Sequence, residues 1–74
     1  MAKYMIVFEE AEVDEFNVYL DGLTPERCKE IDAMTPEEQM HKLSRGEFWA
    51  LRCFQIATHA MAQAGAVKTV KTRG

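Results

Sequence analysis

"LTPERCKEIDAMTPEEQMHKLSRGE", residues 23–47, carries three helix starts within 25 residues. In "TPER" the Thr24 hydroxyl can accept a hydrogen bond from a free backbone N–H of the first turn. Pro25 then takes the first helical position, where its missing N–H costs nothing. Glu26 follows in the first turn, where a carboxylate meets the positive end of the helix dipole. "TPEE" repeats the device and adds a reciprocal box between Thr35 and Glu38, and "SRGE" gives a third start with Ser44 and Glu47. Pro36 disfavours helical backbone at the residue before it, so one continuous helix across 25–43 would be costly. The pattern predicts a short helix from Pro25, another from Pro36 and a long one from Arg45 or Gly46. The recurrence of TPE after eleven residues reads as helix punctuation, because a solenoid needs longer periods and at least three copies.

The long helix, "EFWALRCFQIATHAMAQA" (Glu47–Ala64), should end where Gly65 can adopt a left-handed conformation. At 100° per residue, Arg52, Gln55, His59 and Gln63 share a narrow polar face. Trp49, Cys53, Ile56, Ala57, Ala60, Met61 and Ala64 cover one side of the remainder, and Leu51 and Phe54 extend it. The apolar arc spans about two-thirds of the circumference, well beyond the roughly 100° stripe that packing on one side requires. Such a helix should be covered from two directions. Either the chain's own hairpin and short helices do this, or a strip remains for a dimer or partner.

Upstream, "KYMIVFE" (Lys3–Glu9) is aromatic and β-branched, and in "EFNVYLDG" Phe16, Val18 and Leu20 alternate with polar positions. Two strands are predicted, the second with one buried face. The acidic link "EAEVDE" lacks a tight Asn-Gly or Asp-Gly signal, so a somewhat long charged loop is expected between them. Downstream, "AVKTVKTRG" is weakly alternating. Ala66–Val70 is expected as a third strand, the alternative being a frayed basic tail. The fold class is therefore α+β: an N-terminal antiparallel hairpin, two short capped helices, a long amphipathic helix and a C-terminal strand. One small domain, 1–74, accommodates this as a hairpin (3–22), a helical part (24–64) and a tail or edge strand (66–74).

At 47% hydrophobic and 28% charged residues, the composition is that of a globular chain. Two cysteines, Cys28 and Cys53, are too few for a disulfide scaffold, and a single bridge stays open. With no signal-like segment and no long apolar run, a cytoplasmic location away from membranes is expected. Residues 1–22 hold one lysine against six acids, a balance of −5, and residues 66–74 hold three basic residues. The net −3 argues against direct nucleic-acid binding.

The catalytic vocabulary is thin. Cys28, His41, Cys53 and His59 show no C-x-x-C or H-x-x-x-H spacing, and Glu37 with His41 reads as a solvated helix pair, so no metal is expected. Cys28 near His41 is the one arguable nucleophile and base, but a partly buried structural thiol is the simpler reading. No Gly-rich phosphate loop is present, and the acids of the hairpin share one solvated environment, unlike a catalytic pair. The chain is expected not to be an enzyme and to carry no cofactor.

Three functions compete. The first is a small interaction module, expected as a homodimer, that occupies a surface of another protein. Phe48, Trp49, Phe54 and Met61 would be its anchors. Compact acidic domains of this kind are typical of phages and mobile elements, where they inhibit or redirect host proteins. The second is an intersubunit site for a small anionic ligand, using Arg45, Arg52 and His59. The third is an acidic mimic of nucleic acid, using Glu9, Glu10, Glu12, Asp14 and Glu15.

Overall fold

The computed structural model describes residues 2–74 and places six elements in chain order. They are β1 (Met5–Glu12), β2 (Glu15–Asp21), α1 (Pro25–Asp32), α2 (Pro36–Lys42), α3 (Arg45–Gln63) and β3 (Val67–Arg73). The architecture is α+β, with the strands in the order β1-β2-β3.

The hairpin is tighter than its sequence announces. The expected charged loop is instead a two-residue turn, Val13–Asp14, because both strands run on into the acidic link. Asp14 takes a positive φ of 60°, which a short polar side chain tolerates better than most residues. A register shift between Glu10 and Glu12 takes up the extra residue.

β3 lies beside β2 and runs parallel to it, with Val18 opposite Val70 and Asp21 opposite Arg73. Parallel neighbours need a crossover, and the three helices between Pro25 and Gln63 supply it. The strand extends beyond the expected Val70 to Arg73, so the basic tail is part of the sheet. At its far end the Gly22 N–H donates to the Arg73 carbonyl at 2.8 Å. Gly22 itself has φ of 103°, and a β-carbon there would collide with the Lys3 carbonyl oxygen. This position needs glycine for both backbone angle and space.

All three helix starts lie where the caps put them. The Thr24 hydroxyl accepts from the Arg27 N–H at 3.1 Å. Thr35 with Glu38 and Ser44 with Glu47 form complete reciprocal boxes. Their hydrogen bonds fall between 3.0 and 3.2 Å. At the other end of α3, Gly65 turns the chain with φ of 72° and the Ala66 N–H returns to the Met61 carbonyl.

The core is small. Val18, Leu20, Leu23, Ile31 and Phe54 are buried, with Tyr4, Ile6, Phe16, Cys28, Leu43, Ala50, Leu51, Met61 and Val67 packed around them. Alternation along β2 sends Val18 and Leu20 to the helix side, and pairing sets Phe8 and Ile6 of β1 on that same face. The molecule is elongated, 41 × 25 × 17 Å, with a radius of gyration of 13.0 Å. A compact chain of this length has a radius of about 11 Å. Among the described residues no helix is long and apolar enough to cross a membrane.

Candidate functional site

Packing leaves α3 covered on one side only. Phe54 faces the sheet, with Ala50, Leu51 and Met61 beside it. Further round the same apolar arc, Trp49 and Ile56 are 57% and 59% exposed, and Cys53 and Ala60 are exposed with them. Phe48 and β1's Phe8 are also half exposed. The accessible surface totals 5479 Å². A folded monomer of 8.5 kDa exposes about 4,650 Å², so roughly 800 Å² is in excess.

The corner between α2 and α3 is held by one ion-pair network. Glu47, in the first turn of α3, accepts from Arg27 Nε at 2.7 Å and from Arg27 Nη2 at 3.1 Å. The same guanidinium donates to Glu30 and to the Lys42 carbonyl, so α1, the end of α2 and the start of α3 meet at one side chain. The Arg27 hydrogen bond, aided by the Ser44 N–H, holds the Glu47 carboxyl down at about 2, and Glu47 in turn raises Arg27. In α2, the Thr35 N–H and then Lys42 hold Glu38 below the usual carboxylate range. The Gln39 side chain adds a 3.0 Å bond to the Ile31 carbonyl.

From this braced corner project Phe48, Trp49 and Met40. The two rings meet edge to face, with centroids 5.3 Å apart and planes at 82°. Met40 is 80% exposed and lines a shallow groove with Leu43, Ser44, Arg45, Phe48 and Trp49. Of the four expected anchors, Phe48 and Trp49 are therefore accessible. Phe54 is a core residue at 6% exposure, unavailable to a partner, and Met61 is half-buried against the core. Met40 is an exposed apolar side chain of this corner that the sequence did not single out. No periodicity marks it, because α2 has no buried residue to define an inward face.

The basic trio is split. Arg52 and His59 rim a cleft of about 660 Å³ whose wall includes Ile56, Val67 and Val70, between α3 and β3. Arg45 lies at the α2–α3 groove instead. Position along the helix explains the separation, since Arg45 lies about two turns, roughly 10 Å, before Arg52.

The five acids stay together on the hairpin, but two of them have local partners. Glu12 pairs with Lys68 at 3.0 Å, and Glu9 accepts from the Asn17 amide at 3.0 Å. At the other end of the sheet Arg73 pairs with Asp21 and lies over the Tyr19 ring, 3.9 Å from its centre. Cys28 is half-buried and Cys53 exposed, and both are free. Among the described residues no three His, Cys, Asp or Glu side chains come together as a metal site. No family model, no curated protein and no solved structure matches the chain.

Proposed function

We propose that the protein is a non-enzymatic interaction module that occupies a surface of another protein. Its action is that of the small inhibitors or regulators which phages and mobile elements direct at host proteins. The observation that carries this reading is the half-exposed Phe48–Trp49 pair, set with Met40 on a corner braced by Arg27 and Glu47. Aromatic side chains and Met contribute most of the contact energy at protein interfaces. Anchors already fixed in place lose little conformational freedom on docking, which keeps the cost of binding low.

Affinity capture with wild type, Phe48→Ala and Met40→Ala tests the reading. A partner retained by wild type should bind each variant at least about 10-fold more weakly, the loss of a side chain worth over 1.4 kcal/mol. Circular dichroism should show both variants folded, because neither side chain belongs to the buried core. A partner that binds wild type and both variants equally would sink the proposal.

A further inference from the structure

The exposed strip of α3 has a spacing of its own. Trp49, Cys53, Ile56 and Ala60 follow one another at intervals of four, three and four residues, the a/d spacing of paired helices. No charged residue lies within the strip. The spacing is also palindromic about a point between Phe54 and Gln55. An antiparallel copy of the same helix therefore sets Trp49 against the partner's Ala60, the largest side chain opposite the smallest. It sets Cys53 against the partner's Ile56.

We propose that this face is closed by a second copy of the chain, the two α3 helices crossing antiparallel about a two-fold axis near Phe54 and Gln55. Beside the palindromic spacing, two observations support the choice of occupant. The surface excess of roughly 800 Å² equals what each partner buries in a standard interface. Phe8, Trp49 and Ile56, all at least half exposed, contribute apolar area to that surface. Charge is complementary in the same arrangement. Arg45 and Arg52 have no ion pair within the chain among the described residues. The acidic turn, for its part, lies near the C-terminal end of α3, because the Phe16 N–H at its foot bonds to the Ala66 carbonyl. An antiparallel crossing carries each acidic turn toward the N-terminal end of the partner's helix, with its Arg45 and its positive dipole. This dimer deepens the interaction reading above. It takes the strip, Trp49 included, into its own interface and leaves Phe48 and Met40 at its margin for a foreign protein.

The experiment is sedimentation and light scattering over a wide concentration range, with the emission of Trp49, the one tryptophan, followed on dilution. Wild type should show twice the 8.5 kDa chain mass, and its emission should shift to the red as it dissociates. Ile56→Glu, which places a charge in the strip without touching the core, should raise the dissociation constant about 100-fold or more. Ala60→Trp should also dissociate the dimer, by setting two indoles in one space. Adding Trp49→Ala to Ala60→Trp should restore association, since the large and small partners have then exchanged places. A wild type that stays monomeric at the highest soluble concentration overturns the proposal. So does a dimer indifferent to Ile56→Glu and Ala60→Trp, or one that the exchange fails to rescue. A monomer whose partner capture still depends on Phe48 overturns the dimer alone. A dimer whose capture ignores Phe48 and Met40 overturns the interaction reading alone.

Discussion

Replacing Glu47 by Gln removes one charge from the network that fixes the α2–α3 corner while keeping an oxygen for the Ser44 N–H. The carboxyl is held at about 2 against an ordinary 4.5. At 1.36 kcal/mol per unit that difference sets a ceiling of about 3 kcal/mol. Solvent reaches the pair, since the Arg27 side chain is 28% exposed, and screening brings the contribution down to about 1–2 kcal/mol. The sign follows from the direction of the shift. A carboxyl depressed in the folded state stabilises fully above its unfolded value and loses that contribution as pH falls toward its folded value. Glu47 should therefore act in full above about pH 5.5 and contribute almost nothing near pH 2.

Urea denaturation of wild type and Glu47→Gln, at one fixed protein concentration, isolates this side chain from the other carboxylates. At pH 7 the variant should be about 1–2 kcal/mol less stable, with a melting temperature lower by about 5–15 °C for a domain of this size. The gap should close progressively between pH 5 and pH 2. A gap under about 0.3 kcal/mol at pH 7 would refute the reasoning and mean that solvent screens the pair entirely. A larger gap that does not change with pH would refute it by showing that the loss is not one of charge.

Gly22→Ala should cost about 2–3 kcal/mol or more, because it combines positive φ with a collision against the Lys3 backbone, and thermal melting reads it directly. Phe54→Ala should cost about 3–5 kcal/mol and leave the chain largely unfolded by circular dichroism. Phe48→Ala, six residues away on the same helix, should melt within about 1 kcal/mol of wild type, since Phe48 is half exposed.

The helix starts were readable because a cap is a local device. Thr24, Thr35 and Ser44 each satisfy an N–H three residues on, and no distant residue takes part. Alternation in β2 was readable for a similar reason, since Val18 and Leu20 must share a face in any extended backbone. The turn at Val13–Asp14 was not. Its left-handed residue is an aspartate outside the Asn-Gly and Asp-Gly vocabulary, and the bulge that accommodates it depends on the facing strand. The parallel seat of β3 was equally hidden, because the position of a strand in a sheet is decided by the crossover that delivers it.

The candidate surface divides along the same line. An apolar arc of two-thirds of α3 says that some of it must face away from the core, but periodicity treats Phe54 and Trp49 alike. Which of them goes inward depends on where Val18 and Leu20 of β2 meet the helix, and that is a tertiary fact. Once the sheet selects Phe54, Ala50 and Met61 as the inward line, the helix geometry fixes the rest. Trp49, Cys53, Ile56 and Ala60 are rotated away together, and their four-three-four spacing becomes a single exposed strip. The sheet thus determines which face α3 presents outward. Each large residue spent on that outward strip is one the small core does without, so closing the strip should also raise the stability of the fold.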